Sequence, residues 1–88
     1  MANVDVKVTM ADFSGLGLFV KVDNNNLFFN SSGTQTLNLI PQNYIATVSG
    51  HEPSSANVLI QFIENGTVIG QQSFSTPNFS GFIPFTVQ

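Results

Sequence analysis

The adjacent residues His51 and Glu52 have the side chains best suited to chemistry in this 88-residue chain, since an imidazole beside a carboxylate can share a proton or a metal ion. Catalysis needs a nucleophile, a base and a charge-stabilising group in one cleft, and the chain has one His and no Cys. We therefore predict a solvated loop pair and no enzyme. An enzymatic role would require Asp12 and Asp23 to converge with these two residues.

Asp23-Asn24-Asn25-Asn26 is a second candidate site, because it offers several oxygen donors of the kind that calcium prefers. The string lacks the spaced carboxylates of an EF-hand loop and has no later bidentate Glu. We predict a tight turn in which the Asn side chains cap their own backbone. We predict no metal and no cofactor for this chain. Calcium binding at Asp23 is the alternative.

The composition excludes several classes of function. Charged residues make up 8% of the chain, against roughly 25% in ordinary domains, and the only cations are Lys7 and Lys21. No basic patch can therefore neutralise a phosphate backbone or an anionic membrane, and no apolar run approaches the roughly 18 residues of a spanning helix. We predict binding to neither nucleic acid nor membrane. Residues 1–8 show no signal peptide, and the composition is compatible with an extracellular or surface protein, so the compartment stays open.

Alternation of apolar and polar residues predicts an all-β chain, because every second side chain of a strand lies on one face. We predict strands at 3–10, 16–22, 34–40, 43–49, 57–64, 67–75 and 82–87, with a weaker piece at 27–29. Seven to eight short strands in one domain, 1–88, favour a small antiparallel β-sandwich of immunoglobulin-like or prealbumin-like type. A small closed β-barrel is the alternative.

Glu64-Asn65-Gly66-Thr67 predicts a hairpin with a two-residue type I′ turn that pairs Ile63 with Val68. In that register the polar side chains that follow would turn inward while Phe74 turns outward. A bulge at Gly70 would shift the phase by one residue and return Phe74 to the core.

Some apolar side chains have the outward phase. Phe19 alternates with inward neighbours, and Phe28 and Phe29 are adjacent, so one of that pair faces outward. If the strand at 57–64 buries Val58, Ile60 and Phe62, the opposite face of its hairpin is apolar as well. The predicted interface residues are Phe19, Phe28, Leu59, Ile63 and Val68. The alternative is that the C-terminal strand covers both faces of the hairpin within one domain.

One segment resembles a known group of domains. Leu39-Ile40-Pro41-Gln42-Asn43-Tyr44-Ile45-Ala46-Thr47-Val48-Ser49-Gly50 is similar to the Leu-x-Pro-Gly-x-Tyr-x-x-x-Val pattern of PEGA-like and carboxypeptidase-regulatory-like sandwich modules. Gln42 stands where that pattern has Gly. The resemblance implies a small non-catalytic sandwich of the kind often found on bacterial surface and exported proteins.

These patterns favour a non-catalytic binding, structural or accessory module. It would act through protein–protein contact, with another protein or as a homo-oligomer, because apolar patches on a small charge-poor domain mark contact sites. The alternative is a lectin-like carbohydrate-binding module. It would use the Asn-rich loop at Asp23, Asn24, Asn25 and Asn26, with or without calcium, since neutral polar groups bond hydroxyls without desolvating a charge.

Overall fold

Eight β-strands form the body of the computed structural model, which describes residues 1–11, 17–51 and 57–88. They are β1 (Ala2–Ala11), β2 (Gly17–Val22), β3 (Asn25–Phe29), β4 (Gly33–Leu39), β5 (Asn43–His51), β6 (Asn57–Glu64), β7 (Thr67–Phe74) and β8 (Ser80–Thr86). The all-β prediction is confirmed. Within these residues no helix is long and apolar enough to cross a membrane.

The strands make two antiparallel four-stranded sheets packed face to face. Sheet 1 has the order β4-β1-β6-β7, and sheet 2 has the order β3-β2-β5-β8. Only two connections, β2 to β3 and β6 to β7, are hairpins within one sheet. Because each sheet keeps two unpaired edges, the molecule is an open sandwich, and the closed-barrel alternative is wrong.

The core lies between the sheets and follows from the alternation. Val4, Val6 and Val8 of sheet 1 are buried, as are Leu18, Val20 and Val22 of sheet 2. Aromatic rings fill the centre of one half. Phe85 stacks on Phe62, with ring centroids 4.3 Å apart, and on Tyr44, with centroids 5.3 Å apart. The Tyr44 hydroxyl donates to the Ile40 carbonyl at 2.8 Å, so this polar group is satisfied beside the core.

The β6–β7 hairpin has the predicted turn. Asn65 and Gly66 both have positive φ, 51° and 75°, as a type I′ turn requires, and Ile63 pairs with Val68. Phe62 then lies opposite Gly70, so the extra residue of the bulge is Ile69, one position before the predicted Gly70. The shift places Phe74 against the core, as expected from a bulge here.

Side-chain packing closes one side of the sandwich, where β7 of sheet 1 runs along β8 of sheet 2. A Cβ at Gly70 would lie 2.7 Å from the Pro84 carbonyl oxygen, so only glycine allows this approach. The Phe74 ring lies over Gly81 and stacks on Phe79, with centroids 4.6 Å apart. The two strands pack together without forming a backbone ladder.

Candidate interaction surface

The outer face of sheet 2 collects large apolar side chains. Strand alternation buries Tyr44, Ala46 and Val48 of β5, so Ile45 faces solvent, and the same phase turns Phe82 of β8 outward. The exposed fractions are 70% for Phe82, 64% for Ile45, 54% for Phe19 and 45% for Phe28. These are four of the seven large hydrophobic side chains that are exposed among the described residues. We call this surface the aromatic face.

Two clusters make up the aromatic face, and the first joins β2 to β3. Phe19 and Phe28 are directly opposite each other, and their ring centroids are 5.0 Å apart at 53°. The Phe28 ring lies over Gly17, where any Cβ would overlap it. Gly17 is consequently buried, and Phe28 is held in place although nearly half of it is exposed.

The second cluster joins β5 to β8. Ile45 lies opposite Pro84, and Phe82 lies opposite Thr47, so Ile45 and Phe82 are diagonal neighbours within reach of each other. Beside them, a shallow depression of about 540 Å³ is lined by Ile45, Pro84 and Thr86 and continues to Ile69 of β7. This part of the face is apolar and open.

Neutral polar residues separate the two clusters. Thr47 and Ser49 of β5 lie between β2 and β8, and Lys21 lies opposite Thr47. Lys21 and His51 are the ionisable side chains that face outward from the strands of this sheet within the described part of the chain, and the exposed Asp23 lies in the β2–β3 turn at its end. Contact with an uncharged partner would therefore have a low desolvation cost, because few charged groups would lose their water.

The outer face of the β6–β7 hairpin is less apolar than predicted. Val68 is 43% exposed, while Leu59 and Ile63 are half-buried. Gln61 lies between these two, and its amide donates to Gln71 Oε1 at 3.1 Å. Leu59 lies between Thr9 and Ser73, and Ile63 lies beside Asp5. Polar side chains therefore interrupt the predicted patch. The C-terminal strand β8 belongs to the other sheet and does not cover it.

The Asn-rich segment is divided between a turn and a strand. Asp23, with φ of 52°, and Asn24 form the two-residue connection, while Asn25 and Asn26 belong to β3, which begins earlier than predicted. Asn26 lies opposite Lys21. Nowhere in residues 1–11, 17–51 or 57–88 do three His, Asp or Glu side chains come close enough to hold a metal ion. The lectin-like alternative stays a prediction.

The residues considered for catalysis do not form a described cluster. The prediction of a loop at His51 is wrong, because β5 extends to His51, which pairs with Gly17 at one end of the sandwich. Asp23 is in the hairpin turn at the other end of β2. Asp12 and Glu52 lie outside the described residues. No pair of these groups can therefore be assigned a shared proton.

Sequence reasoning overlooked Ile45 and Phe82, the two most exposed members of the aromatic face. The signal was present, because Ile45 alternates with the buried series Tyr44, Ala46 and Val48. Phe82 likewise precedes the buried Ile83 in a strand whose inward phase includes Phe85. Phe19 and Phe28 were placed on the outside by the same argument, and both are exposed.

The fold and this surface describe a small all-β sandwich with one exposed apolar sheet face. Comparisons with protein-family models, curated proteins and solved structures found no match for the chain. The segment 39–50 forms the end of β4, the link 40–42 and most of β5. Its resemblance to PEGA-like and carboxypeptidase-regulatory-like modules stays a prediction.

Proposed function

We propose that this chain is a non-catalytic structural or accessory module that works by protein contact through the aromatic face of sheet 2. The partner that we propose for this face is a second copy of the chain. The single observation that carries the proposal is the position of Phe19, Phe28, Ile45 and Phe82 on one sheet face, all at least 45% exposed. Apolar surface concentrated in this way is typical of a contact site.

The size of the face supports a stable contact. The molecule extends over 38 × 21 Å in its two longer directions, so a contact across one whole flat side would cover at most about 800 Å². A standard protein interface buries about 800 Å² on each partner. Burial contributes about 25 cal/mol per Å² of apolar surface before the costs of association are subtracted.

Electrostatics supports a second copy as the occupant. Two aromatic faces in contact would bring together aromatic rings, Ile45 and neutral Thr and Ser side chains. Lys21 lies beside neutral Thr47 and the neutral Asn26 of the neighbouring strand, so its ammonium group can extend towards solvent at the edge. Of the described acidic residues, Asp5 and Glu64 belong to sheet 1, and Asp23 lies in the β2–β3 turn at the end of sheet 2.

We also infer that the sandwich is of the immunoglobulin-like or prealbumin-like kind, in which surface modules act through sheet faces and loops. Support comes from the eight short antiparallel strands and from the connections that pass repeatedly between the two sheets. The segment 39–50 adds its sequence resemblance to PEGA-like modules.

The test is the double variant Ile45→Ser/Phe82→Ser, with Val68→Ser on the other sheet as the matched control. Both Ile45 and Phe82 are largely exposed, so the variant should keep its fold. Light scattering on a sizing column should show oligomers for the unmodified chain and for Val68→Ser. The double variant should require at least about tenfold higher concentration to associate through this face, given a loss of about 1.4 kcal/mol or more.

Equal association of the double variant and the control would overturn the proposal. Circular dichroism and urea unfolding must show that both variants remain folded. If the unmodified chain is a monomer at every concentration, self-association through this face is wrong.

A further inference from the structure

The four edge strands of the sandwich are not equally protected against pairing with another strand. On the β7–β8 side, Pro84 of β8 has no N–H to donate, and β7 carries the bulge at Ile69. Proline and bulges are two devices by which native sheets prevent edge pairing. Gly70 also packs against the Pro84 carbonyl, so β7 and β8 shield each other.

The short strand β3 is partly blocked as well. The carbonyl of Phe28 accepts a hydrogen bond from the Gln35 side-chain amide at 2.9 Å. Val22 and Asn25 flank the two-residue turn between β2 and β3 and form a hydrogen-bonded backbone pair. The direction of the backbone N–H and C=O groups alternates from there, so the Phe28 carbonyl points away from β2. An incoming strand would have to displace this bond.

The remaining edge strand, β4, has none of these protections. Its sequence Gly33–Leu39, GTQTLNL, has no charge and no proline. Its register with β1 continues without a bulge from Ala2 opposite Leu39 to Val8 opposite Gly33. Long uncharged edges of this kind are templates for strand addition.

The register identifies the free backbone groups of β4. Glu64 and Thr67 flank the two-residue turn of the β6–β7 hairpin, so they form a hydrogen-bonded backbone pair. The backbone groups of Ile63 therefore point away from β7 and bond to Asp5 of β1. Because the direction alternates along a strand, the even-numbered residues of β1 bond to β4. The Met10 N–H fits this phase, since it donates to Ser32 Oγ at 2.8 Å on the β4 side.

Val4 and Val6 therefore bond to Leu37 and Gln35, and the residues between these point their N–H and C=O groups the other way. The outward residues are Thr34, Thr36 and Asn38. All three are exposed. No backbone group of the described residues pairs with them on that side.

We propose that β4 pairs antiparallel with β4 of a second copy, about a two-fold axis through Thr36. In that register Thr36 faces Thr36 of the second copy, and Thr34 faces Asn38 of the second copy. Each of the three pairs exchanges two backbone hydrogen bonds, about six in all. The two copies of sheet 1 then form one continuous eight-stranded sheet.

A second copy fits this edge because the edge is self-complementary. The free groups are centred on Thr36, so the two-fold axis pairs every outward donor with an outward acceptor. The facing side chains are Thr with Thr and Thr with Asn, so no like charges lie directly opposite each other. The Thr36 hydroxyl donates to Asp5 Oδ1 at 2.7 Å within each protomer, one strand further from the axis. The contact is separate from the aromatic face, which belongs to sheet 2, and does not rest on it.

Two charge variants at the same positions test the register. Thr34→Glu/Asn38→Glu places like charges opposite each other twice across the two-fold axis, whereas Thr34→Glu/Asn38→Lys places opposite charges there. Both variants contain Thr34→Glu. Because Lys7 lies opposite Thr34 within the protomer, this carboxylate faces an opposite charge and should not destabilise the fold of either variant. Sedimentation velocity should show the edge dimer weakened about tenfold or more in the first variant and restored in the second.

Hydrogen exchange separates this contact from one on the aromatic face. The amides of Thr34, Thr36 and Asn38 should exchange rapidly in the monomer and become protected as the concentration rises. Those of Gln35 and Leu37, bonded to β1, should be protected throughout. Protection should persist in Ile45→Ser/Phe82→Ser, where the aromatic face is disabled.

Rapid exchange at residues 34, 36 and 38 in a sample that is fully associated would overturn the proposal, as would a chain that never associates. Equal association of the two charge variants would also overturn it, because the proposed register requires them to differ. Loss of the aromatic-face contact alone leaves this result unchanged.

Discussion

Close contact with an aromatic ring determines which residue can occupy position 17. Gly17 has φ of 148°, where glycine is favoured, and the Phe28 ring occupies the space that a Cβ would need. Phe28 therefore serves two purposes, covering Gly17 and contributing to the aromatic face. A change at this glycine should alter both stability and the exposed surface.

Gly17→Ala should destabilise the fold by about 1–3 kcal/mol, because the methyl group displaces the Phe28 ring and strains the backbone. Urea unfolding measures this. The control is Gly33→Ala, since a Cβ at Gly33 has nothing within 4 Å and its φ is not positive. We expect the control to change the unfolding free energy by no more than about 0.5 kcal/mol. Similar losses in both variants would contradict this account of Gly17.

At the scale of the element, the β7 bulge and the close approach of β8 depend on different residues. Ile69 is the extra residue, while Gly70 provides the space for the Pro84 carbonyl. The obstacle at Gly70 is backbone, which cannot rotate away as a side chain would.

Gly70→Ala should therefore separate β7 from β8 and lower the free energy of unfolding by about 1–3 kcal/mol. The exposed Gln72→Ala on the same strand is the control and should lower it by less than about 0.5 kcal/mol. Urea unfolding of both variants checks the prediction. Equal stability of the two variants would show that the packing of β7 against β8 does not depend on Gly70.

Local patterns predicted most of the elements. The Asn65-Gly66 turn gave the hairpin and its register, since its chemistry lies within four residues. The bulge was placed one residue late, because Gly70 is required by Pro84, which is distant in sequence. The extent of β3 was underestimated because Asn25 and Asn26 have low strand propensity and are held by pairing with β2.

The candidate surface was only partly predictable for a similar reason. The phases of Phe19 and Phe28 follow from alternation alone. Whether Leu59 and Ile63 form a patch depends on which strands flank β6, and β1 and β7 supply Asp5, Thr9 and Ser73 there. Such neighbours come from long-range pairing, which no local pattern contains.

At the scale of the whole molecule, the two proposed contacts lie on different sheets. The aromatic face belongs to sheet 2 and the β4 edge to sheet 1. Two distinct two-fold contacts on one protomer can alternate and extend an assembly beyond a dimer. Disabling either contact should leave dimers, and disabling both should leave monomers.

That prediction is checked by combining Ile45→Ser/Phe82→Ser with Thr34→Glu/Asn38→Glu. Light scattering should give a dimer mass for each set alone at a concentration where the unmodified chain is larger. The combined variant should have the mass of one chain. A combined variant that still associates would mean that a third surface is involved.

We propose that this small sandwich exposes more apolar sheet surface than a lone protomer keeps in solution. The most direct measurement is sedimentation equilibrium of the unmodified chain over a wide concentration range. We predict an average mass that rises above 9.5 kDa with concentration. A constant mass of one chain up to the highest concentration would contradict the account.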